Sequence, residues 1–265
     1  MKHRDKIGII DSGIGGFTVV KELRELLPNE GIIYFGDNLN CPYGNRSKEE
    51  ILRLTLDMLD FLNEKKVKVV GIACNTISTL IEDYKDRYDF PILDIITPTA
   101  DYVVDSKKDN IGIIGTTFTI ESGSYQKKIL SGNGNIKIVG EPSPDLAELI
   151  DSGDFDSPII KDVIKHHLNN ITVGNEVSYL ILACTHYPIV EDVFKLEAPN
   201  LEIINPGYYL AEKIKLTLKD NNMLEEDNNM ETAIEIFTTG NAEIYYNTIE
   251  KLKIKDKFCV SSISI

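Results

Sequence analysis

Two segments of the chain are near copies, Val70-Gly71-Ile72-Ala73-Cys74-Asn75-Thr76 and Leu180-Ile181-Leu182-Ala183-Cys184-Thr185-His186, and each ends an apolar run on a cysteine followed by small hydrogen-bonding residues. A thiol at a strand end can both take and give a proton, so two of them on equivalent strands suggest a pair of opposed bases. That is the chemistry of racemisation. A thiolate removes the Cα proton of an amino acid from one face, and a neutral thiol returns a proton to the other. An unperturbed cysteine titrates at about 8.5, and each sulfur must reach both states, so each needs a proton partner. Asp11, ending the first apolar run, and His186, two residues beyond the second cysteine, are the candidates. Either cysteine alone could be an ordinary buried residue, but the matched pair argues against that reading.

The duplication extends further, because Lys6-Ile7-Gly8-Ile9-Ile10-Asp11 recurs as Asn110-Ile111-Gly112-Ile113-Ile114-Gly115. Ile7 to Ile111 is 104 positions and Cys74 to Cys184 is 110. The near-constant offset implies two α/β lobes of similar plan, with residues 1–97 and 208–265 in the first and 98–207 in the second. If the lobes face each other across a pseudo-twofold axis, equivalent strand ends meet at one cleft, where open parallel sheets bind ligands. Apolar runs bounded by turn residues predict strands over 7–10, 31–35, 67–73, 92–96, 111–115, 135–140, 179–183 and 201–204. Helical patterns lie between them, among them 18–27 and 47–65, the latter opening on Ser47 and Glu50 as a capping box. Residues 219–230, rich in Asp, Asn and Glu, read as a solvated loop before a last strand-helix-strand whose helix spans 242–252. Such alternation implies right-handed βαβ units and mainly parallel sheets.

The net charge is −14 over 265 residues. No Lys/Arg cluster stands clear of interleaved acids, which argues against nucleic acid as a partner. Cys41, Cys74, Cys184 and Cys259 show no close CxxC spacing of a zinc or redox site, so no metal is expected. Free thiols and the lack of a long apolar run point to a cytoplasmic protein that does not enter membranes.

Asp11-Ser12-Gly13-Ile14-Gly15-Gly16 has the glycines of an anion-cradling loop without either nucleotide fingerprint, and a plain tight turn is the alternative. Pro42-Tyr43-Gly44 could offer a backbone donor to a carboxylate, or simply pack an aromatic turn. Asn75-Thr76 and Thr185-His186 fall where helices should begin, a place where neutral donors and the helix dipole would hold a carboxylate. The same dipole would lower the thiol pKa.

Taken together, these motifs with Tyr34-Phe35-Gly36-Asp37, Cys184-Thr185-His186-Tyr187-Pro188, Gly115-Thr116-Thr117-Phe118-Thr119 and Ser122-Gly123-Ser124-Tyr125 resemble those of the glutamate racemases of the aspartate/glutamate racemase superfamily, over nearly the whole chain. The resemblance implies interconversion of L- and D-glutamate without cofactor, supplying D-glutamate for peptidoglycan. It implies Cys74 and Cys184 as the two bases, Asp11 assisting Cys74 and His186 assisting Cys184. Asp11, Ser12, Tyr43, Gly44, Asn75, Thr76, Thr119, Thr185 and His186 would bind the substrate, and a homodimer is allowed for.

The chain also departs from the family pattern. Asn38-Leu39-Asn40-Cys41 stands where Thr-Ala-Arg-Val is usual, so the arginine is absent. Ser143-Pro144 replaces Cys-Pro, and Asp151 stands in for the glutamate that supports the catalytic histidine. Ala183 replaces a glycine, and Asn205-Pro206-Gly207 replaces Asp-Ser-Gly. Asp151 is one methylene shorter than glutamate, so either residues 147–153 shift inward or a water bridges to His186 and Cys184 is less well served. Two other readings stay open: a racemase or isomerase of aspartate or another acidic substrate, and an acidic-amino-acid binding protein without turnover.

Overall fold

The continuous apolar runs do become strands. In the computed structural model, which describes residues 6–225 and 233–264, ten strands alternate with helices along the chain. Six of them, β1 (Ile7–Asp11), β2 (Ile32–Gly36), β3 (Val69–Ile72), β4 (Ile92–Asp94), β9 (Ile234–Thr238) and β10 (Phe258–Ser262), form one sheet in the order β10-β9-β2-β1-β3-β4. The other four, β5 (Ile111–Gly115), β6 (Ile138–Pro142), β7 (Tyr179–Ala183) and β8 (Glu202–Ile204), form a second sheet in the order β6-β5-β7-β8. Every strand pair is parallel. The order β2-β1-β3-β4 is repeated as β6-β5-β7-β8, so the duplication seen in the two cysteine segments is a duplication of topology.

Between the strands run α1 (Phe17–Leu26), α2 (Lys48–Glu64), α3 (Asn75–Ser78), α4 (Ile96–Asp105), α5 (Thr117–Ser122), α6 (Ser124–Gly132), α7 (Leu146–Asp151), α8 (Pro158–Thr172), α9 (Glu191–Glu197), α10 (Pro206–Asp220) and α11 (Glu243–Leu252). Helix α2 begins where the sequence places it: the Glu50 N–H donates to Ser47 Oγ, and the Ser47 N–H returns a bond to Glu50 Oε2. Its buried face, Ile51, Leu54, Thr55, Met58, Leu59 and Leu62, follows the helical period. Helix α2 lies so close to β1 that a Cβ on Gly8 would stand 2.8 Å from Leu62 Cδ1. Among the described residues, no helix is long and apolar enough to cross a membrane.

Element ends differ from expectation for local reasons. Strand β4 stops at Asp94 because the Asp94 carboxylate takes the N–H and hydroxyl of Thr97 at the start of α4, both at 2.7 Å. Strand β6 starts three residues late, after a turn closed by the Asn135 N–H on Asn133 Oδ1. The expected solvated loop over 219–230 is corrected in its first part: α10 continues to Asp220, and residues 223–225 are tied down. There the buried pair Lys68–Glu30 (2.5 Å) receives the Glu225 N–H on Glu30 and donates from Lys68 to the Met223 carbonyl. Residues 226–230 of that loop lie outside the described residues.

Candidate active site

Parallel strands leave their carboxyl ends free, and both sheets aim these ends at one cleft. Asp11 ends β1, Cys74 follows β3, Thr116 follows β5 and Cys184 follows β7. The cleft is lined by Ser12, Cys41, Pro42, Tyr43, Gly44, Cys74, Asn75, Thr76, Thr116, Ala147, Ala183, Cys184, Thr185 and His186, so the two cysteines face one cavity. It is narrow, leaving about 10 Å³ to the centres of water molecules, room for roughly one.

The walls are held by hydrogen bonds that cross between the sheets. The Thr185 hydroxyl donates to Asp11 Oδ2 at 3.0 Å, and the other Asp11 oxygen accepts the Gly13 N–H. Thr76 Oγ1 lies 3.0 Å from Thr116 Oγ1 and 3.3 Å from Thr119 Oγ1. The Tyr125 hydroxyl donates to Asn75 Oδ1 at 2.7 Å. The amide Nδ2 of Asn75 is buried without a partner among the described residues. A buried donor left unpaired costs free energy, and this one belongs to a cavity-lining residue with room for an acceptor. Tyr43 is fixed from behind, its hydroxyl donating to the buried Asp37 carboxylate at 2.6 Å. Close packing also defines the β1 loop, since a Cβ on Gly15 would meet Thr185 Oγ1 at 2.4 Å and the His186 backbone nitrogen at 2.7 Å.

The two thiols have different surroundings. Cys184 Sγ lies 3.6 Å from His186 Nδ1, and His186 Nε2 lies 2.8 Å from Asp151 Oδ1. Burial works against a charged imidazole, but the Asp151 carboxylate outweighs it and raises the His186 pKa well above 6.5. Asp151 is correspondingly held below its ordinary value: burial opposes ionisation, but His186 and the bonds from His186 and Cys41 prevail. On the other side, the Cys74 thiol donates to Ser12 Oγ at 3.5 Å. Burial, reinforced by the Asp11 charge, pushes the Cys74 thiol up to about 12. Burial also raises Asp11 to about 6, against the opposing influence of His186 and its hydrogen bonds.

Two expectations are corrected here, and one alternative left open by the sequence is decided. Helix α3 is only four residues long, and burial rather than its dipole governs Cys74, so the thiol pKa rises instead of falling. No water bridge is needed between Asp151 and His186: the contact is direct, because α7 ends on Asp151 close enough for the shorter carboxylate to reach. Asp11 and Thr119, expected among the substrate-binding residues, stand behind the cavity wall and fix Thr185, and Thr76 with Thr116, respectively; neither lines the cavity, and Asp151 stands behind His186 as its expected support. The other expected residues, Ser12, Tyr43, Gly44, Asn75, Thr76, Thr185 and His186 with both cysteines, do line it.

Thr116 and Cys41 were not anticipated. Thr116 was legible, since the 104-residue offset of the first repeat makes it the counterpart of Ser12. Cys41, which precedes Pro42 through a cis peptide bond, donates its thiol to Asp151 Oδ2 at 3.2 Å. Cys41, Asp151 and His186 bring three metal-ligating atoms within 4.8 Å of one another.

Fold and cleft define a two-lobed α/β enzyme with paired thiols at the meeting point of equivalent strands. Residues 7–214 match the family model of Asp/Glu/Hydantoin racemase. The chain belongs to that family. It is 37% identical over 251 residues to a glutamate racemase of Thermoanaerobacter sp., covering 93% of this chain and 92% of that one. A glutamate racemase of Oceanobacillus iheyensis is 35% identical over 242 residues, 90% of this chain and 88% of its own. Among solved structures, a glutamate racemase isoform from Bacillus anthracis superimposes with a TM-score of 0.92 at 30% identity, covering 100% of this chain and 99% of that one. The Francisella tularensis glutamate racemase in complex with D-glutamate gives 0.88 at 30% identity, with 98% of each chain covered.

Proposed function

We propose that the chain is a glutamate racemase that interconverts L- and D-glutamate through Cys74 and Cys184, without a cofactor, and supplies D-glutamate for peptidoglycan. The observation that carries this reading is the pair of thiols on repeated strands, facing one cavity beside an unpartnered Asn75 amide. The likeness to curated glutamate racemases over about nine tenths of the chain supports the same substrate.

In this mechanism the Asn75 Nδ2 and the hydroxyls of Ser12, Thr76 and Thr116 receive the substrate carboxylates, donors that count for more in a closed cleft than in water, while Thr185 is held beside them by its bond to Asp11. Cys184 acts as the base in one direction, with the His186 imidazolium facing its sulfur and itself held by Asp151. It removes the Cα proton from one face. Cys74, buried and protonated, donates from the other. In the opposite direction Cys74 must first lose its proton; the Asp11 charge opposes that loss, and Asp11, its own pKa raised by burial to about 6, is the neighbouring carboxylate that can take the proton. The cavity is too small for glutamate as it stands. The lobes, taken as 1–97 with 208–265 and as 98–207, must therefore part to admit substrate and close again over it.

The cytoplasm, where thiols stay reduced, suits two catalytic cysteines. Light scattering distinguishes a single chain from the homodimer that the resemblance allows. A chiral assay with L- and D-glutamate and L- and D-aspartate tests the function itself. Turnover of glutamate in both directions supports the proposal; turnover of aspartate alone overturns it in favour of an aspartate racemase, and binding without turnover in favour of a binding protein.

A further inference from the structure

We propose that Cys41, Asp151 and His186 form a binding site for a soft divalent cation, zinc in particular, and that filling it switches the enzyme off. The three ligating atoms lie within 4.8 Å of one another. Asp151 already joins the other two residues, with Cys41 Sγ 3.2 Å from Oδ2 and His186 Nε2 2.8 Å from Oδ1. Around a tetrahedral zinc with bonds of about 2.0–2.3 Å, ligand atoms sit roughly 3.2–3.8 Å apart. The cluster therefore needs adjustments of only about an ångström to close on an ion.

Charge balance favours the exchange. At rest, a neutral thiol, a carboxylate and an imidazolium sum to zero. A thiolate, a carboxylate, a neutral imidazole and a dication also sum to zero. One zinc replaces two protons, and the site acquires no net charge to desolvate. One sulfur, one imidazole nitrogen and one carboxylate oxygen suit zinc, whereas magnesium and calcium prefer oxygen throughout. The hydrogen bonds satisfy all three groups without a metal, so the ion is an inhibitor and not a resident cofactor.

The consequence follows from where the ligands sit. Cys41 belongs to the loop after β2, Asp151 ends α7 and His186 follows β7, so a bound ion would fasten one sheet's loop to the other's. It would also occupy His186 Nε2. The imidazole could then no longer alternate between protonation states behind Cys184, and a cleft that must open would be stapled shut.

Cobalt(II) is the probe, because its bond to a thiolate gives a near-ultraviolet charge-transfer band. The full chain should develop that band at one equivalent. Cys41→Ser, which keeps a hydrogen-bond donor to Asp151, should lose it, while Cys74→Ala and Cys184→Ala should retain it. Zinc chloride should inhibit wild-type racemisation, and Cys41→Ser should need at least about tenfold more zinc for the same fractional inhibition. Absence of a thiolate band in the wild type overturns the site whatever the variants do. So does a band that survives Cys41→Ser and disappears in Cys184→Ala. The inhibition arm rests on the proposed racemase activity but the cobalt arm does not, so an inactive chain that still shows the Cys41-dependent band refutes the activity and leaves the site standing.

Discussion

Replacing Asp11 by Asn should make the protein more stable and less active. The Asp11 carboxyl is wholly buried, and burial lifts its pKa from 3.8 to about 6 despite the bonds from Gly13 and Thr185. Between these two values the native state binds more protons than the unfolded state, so stability must fall as the pH rises through that interval and stay low above it. At about 1.4 kcal/mol per tenfold change in proton affinity, the ionised carboxylate costs the fold ~3 kcal/mol at pH 8. Asn keeps the shape and an oxygen acceptor but carries no charge. Urea denaturation of Asp11→Asn should therefore give up to ~3 kcal/mol more stability than wild type at pH 8, and a difference near zero below pH 4. Racemisation by the variant should drop, because Asn cannot take the proton that Cys74 must lose. Such a trade of stability for function is common at active sites. A variant less stable than wild type at pH 8 would refute the reasoning, since the buried charge would then be a net support of the fold.

Substitutions at three other positions probe separate parts of the cleft. Asn75→Ala removes the unpartnered Nδ2 donor, and a hydrogen bond to a carboxylate worth about 1.5–3 kcal/mol should disappear as a ten- to hundredfold loss in kcat/KM for glutamate; an unchanged value would show that the amide does not meet substrate. Asp151→Asn should lower kcat by roughly tenfold or more through loss of the charge-assisted bond to His186, whereas Asp151→Glu should not exceed wild type, because the contact is already 2.8 Å. Steady-state kinetics in both directions check this pair, and a faster Asp151→Glu enzyme would mean that the aspartate is too short after all. Gly15→Ala places a methyl 2.4 Å from Thr185 Oγ1 and should destabilise the fold by about 1–3 kcal/mol while reducing turnover, read by a thermal melt; an unaltered melt would mean that the two sheets meet less tightly here.

The repeated plan was legible because β1, β5 and β7 are continuous apolar runs, the pattern of strands buried on both faces. Strand β6 was misplaced by three residues because it is an edge strand, half exposed and bearing Glu141, so its pattern is weak and the Asn133 turn decides its start. In the site, residues adjacent to the two cysteines could be read from the repeat itself. Cys41 could not. It meets Asp151 across 110 positions of sequence, with neither a close spacing nor a repeated partner to mark the pair. The Cys74 pKa was misjudged because a helix beginning after a strand suggests a dipole, while the length of that helix and the depth of the sulfur appear only in three dimensions.

The central claim is that two different sulfurs serve opposite faces of one carbon, and proton exchange during a single turnover tests it most directly. With wild-type enzyme in deuterated water and pure L-glutamate, product D-glutamate sampled early should carry deuterium at Cα while the remaining L-glutamate still carries protium, with the mirror result from D-glutamate. Cys74→Ala and Cys184→Ala should each abolish racemisation. Equal early labelling of both enantiomers would point to a single base reaching both faces and would contradict the account.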